Sequence, residues 1–231
     1  MFYHFGPWDL IPIPGLLLAL YAQFRLKALY AKYHDVRQSQ GMTGVEVARA
    51  ILDRAGLRNV SIEPCEGELT DHYDPRKRVL RLSGGNFNCS SLSAIGVAAH
   101  EAGHALQHKE KYTPLEWRMA IVSGTNFATN AGVILFTIGL FIQPSMGQVV
   151  MKIGIWLFSA IVIFQLITLP VEFDASARAR KALATLGLVD GKEGEAIRKV
   201  LGAAALTYVA ALVTAMLQLL RMIAIAQARR R

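Results

Sequence analysis

Residues 149–169 read VVMKIGIWLFSAIVIFQLITL, and this run decides the fold class of the chain. A helix needs about 20 mainly apolar residues to cross a bilayer, and the run supplies that length with Lys152 as its only charge. Pro144 and Gly147 predict a turn before it. A shorter apolar run at about 127–142 precedes the turn, so the two runs predict a hairpin of membrane helices.

Two further apolar runs lie near the ends of the chain, at about 8–26 and 203–220. Pro12 and Pro14 stand near the start of the first run, where a helix tolerates proline. Of the 231 residues, 53% are hydrophobic and 18% are charged, which shifts the composition away from that of soluble proteins. The sequence therefore predicts a mainly α membrane protein with about four transmembrane helices, forming one domain over residues 1–231.

The region between the first two apolar runs is as polar as an ordinary soluble domain. The capping-box spacing at 43–46 predicts a short amphipathic helix. Alternating apolar residues predict strands at 60–64 and 78–82. A further helix is predicted to begin at a cap formed by Ser90 or Ser91. The membrane helices should therefore carry a small α+β lobe.

Lysine and arginine mark the cytoplasmic side of membrane proteins. Residues 31–125 contain 12 of them and residues 171–202 contain 6, whereas residues 1–7 and the turn at 143–150 contain none. Both polar regions are therefore predicted to be cytoplasmic. The arginines at 229–231 conflict with this orientation, because they would lie outside the cell if the fourth apolar segment crosses the whole membrane. Two possibilities stay open: the segment crosses fully, or it enters the membrane and returns to the same side.

Several classes of function are disfavoured by the composition. The formal charge is +8, but the basic residues are dispersed among acids, and no aromatic-interleaved basic patch suggests nucleic acid. Cys65 and Cys89 have no CxxC spacing and form no disulfide framework. A transporter needs ionisable groups within its spans, yet Lys152 and Arg221 both lie at segment ends.

The run His100-Glu101-Ala102-Gly103-His104 carries the chemistry. On a helix, His100 and His104 share one face and can bind one metal ion, while Glu101 flanks them. Zinc at such a site lowers the pKa of its water and polarises a carbonyl, and a carboxylate can then move the proton. Gly103 weakens a helix, which suggests a close neighbour. The alternative is a buried helix with two hydrogen-bonded histidines.

A catalytic zinc takes three protein ligands. His108 continues the four-residue spacing, but three turns spread their ligands along about 12 Å of helix, too far for one ion. Glu172 directly follows the run 149–169, on the same predicted side as His100, and is the candidate third ligand. The alternative is a carboxylate stabilised at a helix N-terminus, which also suits Asp174.

Three stretches resemble the YugP-like membrane zinc metallopeptidases: Asp71–Pro75, Ala98–His108 and Leu169–Ser176. The resemblance extends over nearly the whole chain. It implies a zinc peptidase with one zinc per chain, and it implies the enzyme class more securely than any substrate.

A more distant resemblance is to the HtpX-type and CAAX-prenyl-protease-type membrane peptidases. Those use a zinc-binding helix followed by a Glu-x-x-x-Asp segment, whose Glu is the third ligand and whose Asp orients a ligand histidine. Glu172 matches the Glu, but Ser176 stands in the Asp position. Asp174 is the substitute that we expect for the orienting carboxylate.

The same resemblance implies a strand before the zinc helix that pairs with extended substrate, and by analogy we expect this of the strand at 79–82. His72 and Tyr73 are candidate oxyanion donors, although a turn stabilised by polar side chains explains them equally well. Arg178 and Tyr208 are weaker candidates.

Taken together, the sequence predicts a zinc-dependent endopeptidase of the cell membrane, multi-pass, with a zincin-like lobe and its active site facing the cytoplasm. His100, His104 and Glu172 hold one Zn²⁺, and Glu101 is the general base and then acid. The expected partners are the bilayer and a peptide or membrane-protein substrate, and no nucleic acid. The alternative is a non-catalytic zinc-binding scaffold or chaperone. The oligomeric state stays open.

Overall fold

The computed structural model describes residues 6–229, which form seven α-helices and three strands. A 3₁₀ turn at Pro7–Leu10 precedes them. The helices are α1 (Ile13–His34), α2 (Gly44–Arg54), α3 (Gly84–Phe87), α4 (Leu92–Lys109), α5 (Thr113–Phe141), α6 (Pro144–Thr185) and α7 (Gly191–Ala228). The strands are β1 (Ser61–Cys65), β2 (His72–Asp74) and β3 (Val79–Ser83).

The described chain divides into two compact units. The polar unit consists of Gln23–Glu116 and Pro170–Leu206, and the apolar unit consists of residues 6–22, 117–169 and 207–229. Helices α1, α5, α6 and α7 each run from one unit into the other. The expectation of a single functional domain over 1–231 stays a prediction.

Local capping explains where the helices of the polar unit begin. The backbone N–H of Thr43 donates to Glu46 Oε2 at 2.7 Å, as the capping-box spacing predicted. Ser91, rather than Ser90, caps α4, since its Oγ accepts from the N–H of Ala94 at 3.2 Å. These caps satisfy donors that the first turn of a helix leaves unpaired.

The three-stranded sheet has the order β1-β3-β2. β1 runs parallel and β2 antiparallel to β3, with Tyr73 opposite Leu80. β1 and β3 confirm the two predicted strands to within one residue at each end, whereas β2 was not predicted. The expectation that the strand at 79–82 pairs with substrate is wrong, because β3 is central and both of its edges are already hydrogen-bonded. The outer edges of the sheet belong to β1 and β2.

Helix α4 lies in the core of the polar unit, where its small residues allow neighbouring elements to approach. Ala98, Ala99 and Ala102 are fully buried among side chains of α2, the sheet and the later helices. A Cβ on Gly103 would lie 2.5 Å from the carbonyl oxygen of Ala175. Gly103 is therefore required by the close contact of α4 with α6, as the sequence suggested.

Helix α6 continues without a break through Pro170. Proline forfeits one helical hydrogen bond but is tolerated in long apolar helices. Glu172 and Asp174 consequently lie inside a helix rather than at a helix N-terminus. The alternative explanation of these carboxylates by a helix dipole is therefore wrong.

Within the apolar unit, α5 and α6 form the predicted antiparallel hairpin with a close glycine contact. A Cβ on Gly132 would lie 2.8 Å from the carbonyl oxygen of Gly154, and one on Gly147 would lie 2.5 Å from that of Gly139. Such small-residue contacts let membrane helices approach closely. The shorter run at 127–142 is thus part of a longer helix.

The end of α7 contacts the turn between α5 and α6. Arg229 donates to the carbonyl oxygens of Gly139 and Ile142 at 2.6 and 2.8 Å, and Gln148 donates to that of Ala226 at 2.9 Å. Since α7 is continuous and reaches this turn, it traverses the apolar unit rather than turning back. Arg230 and Arg231 lie outside the described residues.

Four helices within the described chain are long and apolar enough to cross a membrane: Pro7–His34, Thr113–Phe141, Pro144–Thr185 and Gly191–Ala228. Large apolar side chains such as Phe127 and Trp156 are 76% and 80% exposed on them, as lipid-facing residues are. The chain is a mainly α membrane protein with a small α+β portion, as predicted.

Candidate metal centre

Helices α4 and α6 bring His100, His104 and Glu172 together within the polar unit. Their ligand atoms lie within 4.8 Å of one another. Glu172 Oε2 is 3.2 Å from His100 Nε2 and 3.7 Å from His104 Nε2. Glu172 is only 2% exposed, so this carboxylate is directed into the protein and towards both imidazoles.

This donor set fits a zinc ion. Ligand atoms bound at about 2.0–2.2 Å in a tetrahedral arrangement are separated by about 3.3 Å, close to the distances of Glu172 from the two histidines. Two imidazoles and one carboxylate also match the three protein ligands of a catalytic zinc. Within residues 6–229, this is the group of His, Cys, Asp or Glu side chains with the geometry to hold a metal.

The fully buried side chain of Gln107 fixes which nitrogen of His104 is free to bind a metal. The Gln107 Nε2 group donates to the carbonyl oxygen of Val171 and to Asp174 Oδ2, both at 2.8 Å. Since both partners can only accept, the amide oxygen faces His104 Nδ1, at 3.0 Å. Nδ1 must then carry the proton, which leaves the lone pair on Nε2, the nitrogen nearest Glu172.

Asp174 does not contact a ligand histidine directly, so the expectation that it supplies the orienting carboxylate needs correction. Asp174 instead accepts a hydrogen bond from Gln107, and Gln107 in turn bonds His104. Arg178 donates to Asp174 and to Glu110, and so holds this carboxylate in place. Hydrogen bonds link His104 to Gln107 and Gln107 to Asp174. They orient His104 through the ring nitrogen that does not face the metal site, as is usual for ligand histidines.

His100 is oriented by a different partner. A hydrogen bond of 3.1 Å joins its Nδ1 to the hydroxyl of Ser176, which is buried on α6 one turn after Glu172. Ser176 stands in the position of the Asp of the Glu-x-x-x-Asp segment. Like that Asp, it contacts a ligand histidine. A neutral hydroxyl replaces a charged carboxylate at this position, so the imidazole receives a weaker hydrogen bond.

Glu101 lies beside the two histidines on α4 and is 8% exposed. Burial raises the pKa of its carboxyl to about 7, with smaller opposing effects from the neighbouring charges. The backbone of Tyr73, on the edge strand β2, has a smaller lowering effect on this pKa, so Tyr73 lies near Glu101. β2 is thereby positioned next to the functional end of α4.

The remaining predicted residues lie around this centre. His72 is exposed and bonds the carbonyl oxygen of Thr70 through Nδ1. The hydroxyl of Tyr73 bonds His108 Nδ1 at 2.9 Å. His108 thus lies at the end of α4 with a partner of its own, as its exclusion from the ligand set predicted. Tyr208 belongs to the apolar unit.

Sequence reasoning missed Gln107 and the network around Asp71. Asp71 accepts hydrogen bonds from the Ser83 backbone at 2.8 Å and from Asn86 at 2.9 Å, and Asn86 accepts from Tyr30. The position of Gln107, three residues after a ligand histidine on the same helix face, was the available signal for its role. Asp71 carried no such signal, because its partners come from distant segments.

The chain has clear relatives. The family model described as "Putative neutral zinc metallopeptidase" matches residues 8–227. A protein of Bacillus subtilis (strain 168) named "Putative membrane protease YugP" is 48% identical over 215 residues, which cover 93% of this chain and 94% of that protein. No solved structure matches the chain.

Proposed function

The chain belongs to the neutral zinc metallopeptidase family, and from that premise we propose that it is an endopeptidase acting on membrane or membrane-proximal proteins. The observation that carries the proposal is the convergence of His100, His104 and Glu172 beside the buried carboxyl of Glu101. The relative in Bacillus subtilis is named a membrane protease, in agreement with this assignment.

In the proposed mechanism, His100, His104 and Glu172 hold one zinc ion per chain. Zinc, when bound, lowers the pKa of a coordinated water to about 7 and polarises a substrate carbonyl. Glu101 removes a proton from the attacking water and then delivers it to the leaving amine. Gln107 and Ser176 keep the Nε2 atoms of the two histidines directed at the metal.

The substrate is proposed to lie along β2 rather than β3. β2 is an edge strand of the sheet and packs against α4, and Tyr73 lies near Glu101. An extended peptide can add to a free strand edge through main-chain hydrogen bonds. His72 and Tyr73 remain candidate oxyanion donors, and for Tyr73 that role requires its hydroxyl to leave His108.

The course of α6 supports a site near the membrane. Glu172 lies three residues after the apolar run 149–169 on the same continuous helix, about 4.5 Å further along its axis. The proposed cleavage site is therefore close to the bilayer interface. The charge counts favour a multi-pass protein of the cell membrane whose site faces the cytoplasm.

The alternative function is a scaffold or chaperone that keeps zinc for structure. A structural zinc site is closed by a fourth protein ligand. Within the described residues the cluster offers three ligand side chains, which leaves a coordination position open and favours the enzyme.

The test compares purified wild-type protein with Glu101→Gln and Glu172→Ala for zinc content and for cleavage of an unfolded membrane protein. We expect Glu101→Gln to retain zinc and to lose about 10²- to 10⁴-fold in rate, and Glu172→Ala to lose zinc. Glu66→Gln is the control, because it makes the same change from carboxylate to amide at an exposed residue. Equal cleavage by wild type and Glu101→Gln would refute the mechanism, and full zinc occupancy in Glu172→Ala would refute that ligand.

A further inference from the structure

A cavity lies in the polar unit beside the edge strand β2 and has a volume of about 360 Å³. Its lining combines an apolar floor with a basic rim and one acidic residue. The floor includes Leu57, Val60 and Ala105, the rim includes Arg78, Lys109 and Lys111 with His108, and the acid is Glu116. Three cationic side chains against one carboxylate favour an anionic occupant.

Two of these cations are available to a ligand. Within residues 6–229, neither Arg78 nor Lys111 forms an ion pair, and both side chains are exposed. Lys109, in contrast, donates to the carbonyl oxygen of Ala55 at 2.6 Å. Arg78 and Lys111 are therefore the groups that would bind an anion.

The backbone at both positions is strained. Among the described residues, three non-glycine residues have positive φ angles: Leu69, Arg78 at 55° and Lys111 at 52°. Two of the three line this one cavity. Glycine adopts this conformation without the steric strain that a side chain incurs, yet both positions hold a basic residue. Lys111 takes this conformation in the C-terminal cap of α4, where the N–H groups of Lys111 and Tyr112 donate to the carbonyl oxygens of His108 and Gln107, and such a cap favours glycine.

Tyr73 connects the cavity to the metal centre. Tyr73 lines the cavity, its hydroxyl bonds His108, and its backbone lies near Glu101. His108 follows His104 by one helical turn, or about 6 Å. An extended peptide advances about 3.3 Å per residue, so a substrate on β2 would place a residue at this cavity within about two positions of the cleaved bond.

We propose that this cavity is a specificity pocket that binds a carboxylate of the peptide substrate through Arg78 and Lys111. The carboxylate is either an Asp or Glu side chain or the free C-terminus of the substrate. The pocket assignment rests on the proposed peptidase function, because it assumes a peptide lying along β2. A guanidinium and an ammonium are the groups that recognise carboxylates by charge-assisted hydrogen bonds.

The test uses a proteome-derived peptide library, with cleavage sites read by mass spectrometry, and the double variant Arg78→Gly/Lys111→Gly. Glycine relieves the strained backbone, so the variant should keep its fold, which circular dichroism and zinc content check. We expect wild type to favour acidic residues at one position near the cleaved bond, or cleavage at a fixed distance from a free C-terminus. The double variant should lose this preference by roughly five- to tenfold.

Arg76→Ala is the matched control, since Arg76 is an exposed basic residue of the same turn but does not line the cavity. It should leave the cleavage profile unchanged. Enrichment of Asp or Glu at an internal position of the cleaved peptides shows that the pocket binds a side-chain carboxylate. Loss of cleavage after amidation of the peptide C-terminus shows that it binds the free C-terminus. Identical profiles for wild type and the double variant would overturn the proposal. So would a double variant that changes only binding to anionic phosphatidylserine vesicles.

A binding measurement separates failure of the pocket from failure of the peptidase function. Zinc-loaded Glu101→Gln is titrated against a fluorescein-labelled pool of acidic decapeptides and against the same pool with Asn and Gln in place of Asp and Glu. Tighter binding of the acidic pool, abolished by Arg78→Gly/Lys111→Gly, supports the pocket even if wild type cleaves nothing. Equal binding of both pools would overturn it.

Discussion

At the scale of single residues, the orientation of one amide group determines which nitrogen of a histidine can bind zinc. Gln107 donates to Val171 and Asp174 with its nitrogen, so its oxygen can only accept from His104 Nδ1. This arrangement needs no charge in contact with the imidazole. It replaces a direct carboxylate with a neutral intermediary whose own orientation is fixed by a carboxylate.

Gln107→Leu should weaken zinc binding by about 10- to 100-fold, as the loss of an orienting partner of a ligand histidine typically does. The side chain keeps a similar size, so the helix should remain folded. Zinc affinity is measured by competition with a chromophoric chelator. His108→Ala is the control and should bind zinc as wild type does, because His108 bonds Tyr73 and not the metal cluster. Unchanged affinity in Gln107→Leu would contradict the positioning role.

Asp71 is a residue whose importance is visible only in three dimensions. It joins the start of β2 to Ser83 and Asn86 at the end of β3 and in α3. Asp71→Ala would leave the buried N–H of Ser83 without its acceptor and the Asn86 amide with only the Ser83 hydroxyl, and it should lower the free energy of unfolding of the protein by about 1–3 kcal/mol. Asp53→Ala removes a partly exposed pair with Arg49 and should cost less than about 0.5 kcal/mol. Thermal melts in detergent measure both changes, and equal shifts would argue against the network.

At the scale of secondary structure, the site depends on how closely α4 can approach α6. Gly103 permits that approach, because any Cβ there would lie 2.5 Å from the carbonyl oxygen of Ala175. His104 follows Gly103 directly on α4, and Glu172 precedes Ala175 by one turn on α6. The glycine therefore controls the distance between the ligands on the two helices.

Gly103→Ala should lower both the melting temperature and the zinc affinity, since the helices must separate to admit the methyl group. Gly202→Ala is the matched control: it also replaces a helical glycine, but a Cβ there meets no atom within 4 Å. That change should be neutral or stabilise by up to about 1 kcal/mol. If Gly103→Ala kept wild-type zinc affinity, the close contact would not control the ligand geometry.

Elements with a strong local signal could be predicted from the sequence, and those defined by distant partners could not. The apolar run at 149–169 and the spacing of His100 and His104 were sufficient to predict the helices that carry them. β2 has three residues, too few for an alternating pattern, and exists because it pairs with β3. Its omission led to the wrong strand being assigned to the substrate, since the edge of a sheet is a property of strand order.

At the scale of the whole molecule, the arginines at the end of α7 conflicted with the orientation predicted from charge. In the apolar unit, Arg229 donates to the carbonyl oxygens of Gly139 and Ile142 near the end of α5. A cation is stabilised at the C-terminus of a helix, where carbonyl groups lack partners. Arg229 therefore has a structural reason to lie at this turn, and its charge is weak evidence about membrane orientation.

The orientation can be tested by cysteine labelling of intact cells with a membrane-impermeant maleimide. Ser145→Cys, made in a chain with Cys65→Ser and Cys89→Ser, places one thiol in the exposed first turn of α6, next to the turn that follows α5. We expect this thiol to be labelled from outside, because residues 143–150 carry no Lys or Arg. The wild-type thiols at Cys65 and Cys89, in the polar unit, should be labelled only after the membrane is permeabilised. The reverse pattern would place the metal centre outside the cell, and the cytoplasmic assignment would then be wrong although the zinc chemistry would stand.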